Sequence, residues 1–182
     1  DNDKGTPASV QAKDELNNAV MNLFYRAQIQ PLPQWTIEAS LGLNKNRITF
    51  ERLYPLISDS QGNVSPDNKG EISFQAEWMP RIATSYMLNN NFAARASFAK
   101  GYSTPTIAEV RSSNNKINQD LQAESGNNYE VGLKWKSTNQ RFIIDVAAYQ
   151  FKMNNGIIRQ IDDDGAEFYN NAAKMNQKGI EL

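Results

Sequence analysis

The stretch Trp35-Thr36-Ile37-Glu38-Ala39-Ser40-Leu41-Gly42-Leu43-Asn44 decides the fold class. Its odd positions are apolar or aromatic and its even positions polar or small, a period of two. That is the pattern of an extended strand with one apolar face and one polar face. The pattern recurs on both sides. Before it, Leu23, Tyr25, Ala27 and Ile29 alternate with Asn22, Phe24, Arg26 and Gln28, and Pro31-Leu32-Pro33 breaks the two strands apart.

After it comes a polar stretch around Ser58 to Gly70, and then Ile72, Phe74, Ala76, Trp78, Ile82, Thr84, Tyr86 and Leu88 keep even parity. This reads as one long strand. Pro80 lies inside it without an N–H to donate, which predicts a bulge or local break near Met79-Pro80 unless two separate strands meet there; the bulge is preferred. Asn89-Asn90-Asn91 supplies a turn, because Asn tolerates left-handed backbone angles. Phe92, Ala94, Ala96 and Phe98 then form a fourth strand.

Residues 103–127 form a long connection, with a helical turn expected over Thr106 to Arg111 behind Pro105. Tyr129, Val131, Leu133 and Trp135 mark a fifth strand. Ser137 to Asn139 turns the chain into Phe142, Ile144, Val146 and Ala148, with Asp145 on the opposite face. A small hairpin is expected inside 153–170, from Ile157-Ile158 around Asp163-Asp164-Gly165 to Phe168-Tyr169, and a last strand from Ala172. The aspartate run lacks the alternating ligand spacing of a calcium loop and reads as a solvated turn.

Connections therefore alternate short and long: 31–33, 55–71, 89–91, 103–127, 137–139, 153–170. Transmembrane β-barrels of bacterial outer membranes sort their turns in this way, and a soluble sandwich has less reason to. Trp35, Trp78, Tyr129 and Trp135 fall near the ends of the apolar faces, where an interfacial girdle places aromatics. The expected fold is all-β, an antiparallel transmembrane β-barrel segment of about seven strands of a larger barrel.

Composition narrows function. The 182 residues contain no Cys and no His, which removes thiolate nucleophiles, imidazole triads and the usual zinc ligands. Lys plus Arg number 19 against 20 Asp plus Glu, so no basic field attracts nucleic acid. Mean hydropathy is -0.64 and no apolar run is long enough for a membrane helix, whereas a barrel strand averages its two faces and leaves no such run. No enzyme activity, cofactor or metal site is expected.

Pro80-Arg81-Ile82-Ala83-Thr84-Ser85-Tyr86, followed by Arg95-Ala96-Ser97-Phe98-Ala99-Lys100-Gly101-Tyr102-Ser103-Thr104-Pro105-Thr106-Ile107-Ala108-Glu109-Val110, resembles the mid-barrel signature of TonB-dependent receptors. Asn118-Gln119-Asp120-Leu121-Gln122-Ala123-Glu124, Asn128-Tyr129-Glu130-Val131-Gly132-Leu133, Asn170-Asn171-Ala172 and Lys178-Gly179-Ile180-Glu181-Leu182 follow in the family's order. Residues 72–182 carry the resemblance, and 1–71 agree mainly in rhythm. Ala123 stands where the family usually has proline, and Ser103-Thr104 where a basic residue and an alanine commonly stand.

The resemblance implies that 1–182 is a partial barrel domain of a receptor of roughly 22 strands, with the plug and closing strands lying outside this sequence. It implies a place in the bacterial outer membrane, contact with outer-membrane lipid, import of a ferric siderophore or similar scarce nutrient, and coupling to the TonB complex through the plug. Arg26, Glu38, Arg95, Glu130, Lys134 and Asp145 are expected to face the lumen. Arg52, Tyr54, Tyr102, Arg111 and Asn114 border the long connections and are the candidate ligand contacts, because arginine and tyrosine suit anionic or aromatic ligands. Two other readings remain open at this point: a complete eight-stranded outer-membrane barrel, and a soluble carbohydrate-binding sandwich using Trp35, Trp78 and Trp135 for stacking.

Overall fold

A computed structural model describes residues 13–54, 56, 61–63, 68–111, 117–163 and 165–182. The strands are β1 (Lys13–Leu32), β2 (Trp35–Tyr54), β3 (Lys69–Ser73), β4 (Glu77–Met87), β5 (Phe92–Ser103), β6 (Glu124–Lys136), β7 (Ile143–Ile161) and β8 (Glu167–Glu181), with one helical turn, α1 (Ile107–Val110), between β5 and β6. All pairings are antiparallel, in the order β1-β2-β4-β5-β6-β7-β8, with β3 also on β2. Apart from β3 and β4, which both pair with β2, each strand pairs with the next in sequence, so the chain makes one meandering sheet and not two stacked layers. The sandwich reading fails on that topology.

The turns at one end follow their local chemistry. Pro33-Gln34 closes β1 onto β2, behind a register shift between Ile29 and Leu32. Asn89 Oδ1 accepts from the N–H groups of Asn91 and Phe92, both at 2.9 Å, and Asn139 Oδ1 accepts from Arg141 N–H at 3.2 Å. These side chains replace backbone partners that a tight turn cannot supply.

The connection between β5 and β6 reveals which face is inside. Val110 and Leu121 pack on Ile48 and Phe50 of β2 and on Ile72 and Phe74, with Ile157 and Tyr169 from the far side of the sheet. Arg111 binds Asp14 of β1, while Asn118 Nδ2 donates to the Tyr169 carbonyl of β8 at 2.7 Å. The connection thus touches both edge strands of the order on one face. The sheet must curl around it, and that face is concave.

Register then assigns every strand residue to a face. On the apolar belt, Ile37 lies beside Thr84, Ala39 beside Ile82 and Leu43 beside Trp78, and this face is outward. Glu38, Ser40 and Asn44 are inward. Beyond Leu43 the roles exchange: the outward positions become Lys45, Arg47, Thr49 and Glu51, while the inward ones become Ile48 and Phe50, 0% and 3% exposed. From Trp35 to Leu43 the outward band rises roughly 20–25 Å for a strand tilted about 40°, close to the apolar height of an outer-membrane barrel.

Three sequence expectations change. The even-parity run from Ile72 to Leu88 is two strands, β3 and β4, separated by Phe74 to Ala76. Both pair with β2, but Arg47↔Ser73 and Asn44↔Glu77 differ by one residue in register. A one-residue shift reverses the faces. Ile72 and Phe74 are therefore inward and buried, while Trp78 and Ile82 are outward and more than half exposed.

The bulge consequently lies at 74–76 and not at Pro80, which keeps its place opposite Leu41. The ladder from β4 to β5 begins at Arg81↔Ala99, just after the proline, so the absent N–H is not required there. Finally, 153–170 is not a loop carrying a separate hairpin. Ile157 to Ile161 pair with Asn171 to Glu167, so β7 and β8 continue to a tight turn where the Asp162 carbonyl accepts from Gly165 N–H. Asn155 and Gly156 absorb two register shifts in this extension, with Asn155 at a φ of 56°. Asp164 lies outside the described residues.

The inward core is where truncation should matter. Phe74→Ala should destabilise the packing of Val110, Ile117 and Leu121 on the strands by about 3–5 kcal/mol, the usual range for a buried aromatic. Limited proteolysis should then cut this connection faster than in the unsubstituted protein, while the outward belt and its membrane insertion stay intact.

Candidate functional site

Two inward surfaces are candidates: a charged wall level with the outward apolar belt, and a braced mouth beyond it. On the wall, Glu38 of β2 accepts from both Arg26 of β1 and Arg81 of β4. A second group joins Arg95 of β5 to Glu130 of β6 at 3.2 Å and to Asp145 of β7, and Lys134 approaches Asp145 at 3.7 Å. Gly132 makes the reach of Arg95 across β6 feasible: a Cβ there would stand 2.7 Å from the guanidinium carbon. All six residues expected on the lumen face are there, and they pair across strands. Such partly exposed pairs contribute little stability individually. Their effect is a wetted wall on which four cations face three carboxylates.

The mouth is built on Asp14. Its carboxylate is only 1% exposed and accepts from Arg52 at 3.1 Å and from Arg111. Arg52 comes from β2 and Arg111 from the residue capping α1, so one buried anion joins a strand edge to the connection between β5 and β6. Local sequence sets that helical turn: Thr106 Oγ1 accepts from Glu109 N–H at 3.3 Å and Glu109 Oε2 accepts from Thr106 N–H at 2.7 Å, a capping box. Pro105 before it is fully buried.

The other end of the connection is fixed to β8. Gln122 N–H donates to Asn171 Oδ1 at 2.7 Å, and Asn171 Nδ2 returns a bond to the Gln122 carbonyl at 2.8 Å. Glu124 Oε1 accepts from Ile157 N–H at 2.7 Å. Asn46, buried on β2, donates to Thr104 Oγ1.

Of the five candidate ligand contacts, the structure brings Arg52 and Arg111 together through Asp14. Tyr54 lies two residues beyond Arg52 at the rim and is 56% exposed. Tyr102 has the outward parity of Phe98 and Lys100 and does not join them. Asn114 lies outside the described residues. Sequence reasoning passed over Asp14, Asn46 and Thr104. The signal for Asp14 was available only as parity, because its partners are 38 and 97 residues away.

An antiparallel meander with an outward apolar belt, an inward charged wall and a connection folded into its mouth has a match among known families. The model of TonB dependent receptor-like β-barrels covers residues 1–182. The chain belongs to this family.

TonB-dependent receptors are proteins of the bacterial outer membrane and are transporters, not enzymes. Solved structures agree on the fold. The ferric-catecholate import receptor Fiu of E. coli K12 superposes with a TM-score of 0.63 at 16% identity, over 93% of this chain and 25% of that one. The Serratia marcescens hemophore receptor HasR gives 0.69 at 19%, over 90% and 31%, and the siderophore receptor PirA of Pseudomonas aeruginosa gives 0.56 at 15%, over 93% and 39%. The chain thus spans less than two fifths of the length of each. The reading as a complete eight-stranded barrel gives way to a segment of the larger receptor barrel.

Breaking the mouth at its anion should show whether it braces. Asp14→Ala leaves two guanidinium groups facing a site that has lost its carboxylate, and it should cost about 3 kcal/mol. Protease cleavage within 104–123 should accelerate, and adding Arg111→Ala to Asp14→Ala should cost less than the sum of the two single changes.

Proposed function

We propose that this chain is part of a receptor that binds a ferric siderophore or a similar scarce nutrient at the extracellular side and imports it with energy delivered by the TonB complex. The family match across all 182 residues carries this reading. The inward surfaces support it. A polar wall whose charges are held in ion pairs lets a large polar solute pass without a strong trap, and the braced mouth narrows the entrance.

The similar structures include receptors for a ferric catecholate, a hemophore with heme, and siderophores. A large iron-carrying ligand is the class these three point to, while a copper transporter, OprC, is also among the similar structures. The 182 residues act as one partial barrel domain, and the plug that meets TonB belongs to the rest of the receptor. Among the candidate contacts, exposed Tyr54 is the side chain placed to touch an arriving ligand. Arg52 and Arg111 hold the mouth in shape, and Asn114 stays a candidate contact on its sequence position alone.

The test uses the complete receptor in a strain deprived of iron. Growth on a ferric siderophore should require the receptor and TonB, and Tyr54→Ala should weaken ligand binding about tenfold without lowering receptor abundance. Unchanged growth and binding without the receptor, across ferric siderophores and heme, would remove the iron assignment.

A further inference from the structure

Asn155-Gly156 is the one place in the 182 residues where asparagine precedes glycine, and the fold puts that pair at an irregularity. Pairing of β7 with β8 steps from Met153↔Met175 to Gly156↔Ala173, so Asn154 and Asn155 together stand opposite Lys174 alone. This is a bulge, and Asn155 takes a φ of 56° to make it. Gly156 is buried against β8: a Cβ there would stand 2.8 Å from both the Ala173 Cβ and the Met153 Cε. Packing therefore requires glycine at 156, while the left-handed backbone favours asparagine at 155. Asn155 itself is exposed.

The pair is chemically reactive in this setting. An asparagine side-chain carbonyl is an electrophile within five-membered-ring reach of the next residue's backbone nitrogen. Glycine leaves that nitrogen unshielded, because it has no Cβ. Closing the ring requires the next peptide to swing against the side chain, which a continuous ladder resists and a bulge allows. Asparagines elsewhere on the strands, such as Asn44 and Asn128, sit within unbroken pairing and precede lysine and tyrosine.

We propose that Asn155 is a site of spontaneous deamidation that ages the mouth. The Gly156 nitrogen bonds to the Asn155 Cγ, the Cγ–Nδ2 bond breaks, and Nδ2 leaves as ammonia with the Gly156 proton. Water then opens the cyclic imide at either carbonyl and yields aspartate or isoaspartate. No reactant besides water is needed.

The position matters because Asn155 belongs to the anchor of the connection between β5 and β6. Its carbonyl accepts from Asn171 Nδ2 at 2.7 Å, the same nitrogen that donates to the Gln122 carbonyl, and its own Nδ2 reaches Gln122 Oε1 at 3.4 Å. Either product replaces that donor with a carboxylate, so two acceptors face each other. Glu124 already places a carboxylate on the Ile157 N–H, two residues on. Isoaspartate also lengthens the main chain of β7 by one carbon at the Asn171 bond. The anchor at Gln122 loosens, and the connection becomes easier to open. The site is independent of which nutrient is imported.

The experiment ages the complete receptor, purified in detergent, at growth temperature and follows each asparagine by peptide mass spectrometry. Asn155 should convert at least about tenfold faster than any other asparagine on the strands, to a mixture of aspartate and isoaspartate that an isoaspartyl methyltransferase labels. Protease cleavage between Ile117 and Ala123 should accelerate with age, and Asn155→Asp should be cut faster from the outset. Asn155→Gly, which accepts the φ of 56° and carries no electrophile, should neither convert nor change its cleavage rate with age.

Heat-modifiable electrophoretic mobility reports an intact barrel in every sample. Conversion at Asn155 no faster than elsewhere in an intact barrel would overturn the site. Conversion that leaves cleavage unchanged would overturn its effect on the mouth. Both results leave the import reading untouched.

Discussion

A hydrogen-bonded strand presents side chains alternately to its two faces, and everything else in this protein follows from how that constraint is met on each side of the sheet. Within the belt the outward face must be apolar and the inward face polar. Once a strand rises past the belt, both faces meet water unless something covers one of them. On β2 the exchange occurs between Leu43 and Lys45, and from there Ile48 and Phe50 need an inward cover. The connection between β5 and β6 supplies it. The single extra residue at 74–76 lets Ile72 and Phe74 join the same inward core while Trp78 and Ile82 remain in the belt.

The stability of the mouth and the wetness of the wall arise from different physics. Burying side chains such as Phe50, Val110 and Leu121 is worth roughly 1.5–3 kcal/mol each before entropy is counted. The wall's ion pairs are partly exposed and worth far less. A lumen made of such pairs stays hydrated, while the connection inside the mouth is held as a piece of core. Asp14 is the exception among the charges, because it is out of water and its two arginines come from separate elements. The family-like segments 118–124 and 170–172 turn out to meet each other through Gln122 and Asn171, which gives their co-occurrence a structural reason. Ala123, where the family usually has proline, packs against the core beside this contact.

The two faces also divide labour. The inward face meets solute, and its charges are held in ion pairs that span neighbouring strands. The outward face meets lipid, with Trp35, Tyr86, Phe92 and Trp135 near the turns and Trp78, Phe98 and Tyr129 nearer the mouth. Phe92 and Trp135 are in contact at 6.4 Å in the lower row. Small residues, Thr84, Ala96 and Ala148, lie between these rows, on the same strands whose other sides hold the charged wall.

The sequence by itself determined the strand period, the sorted turns, the lumen parity of Arg26, Glu38, Arg95, Glu130, Lys134 and Asp145, and the helical turn behind Pro105. These depend on neighbours one to four residues apart, and alternation or capping chemistry is visible at that range. Residues 72–182 also carried enough of the family's order to place the fold. Only the tertiary structure decided that Ile72 and Trp78 face opposite ways, that β7 and β8 run on through 153–170, and that Arg52 and Arg111 share Asp14 while Tyr102 points elsewhere. A one-residue slip leaves sequence parity unbroken while reversing the faces, and an ion pair across 97 positions leaves no local trace. Those features exist only because the sheet curls and brings its two edges to the same connection.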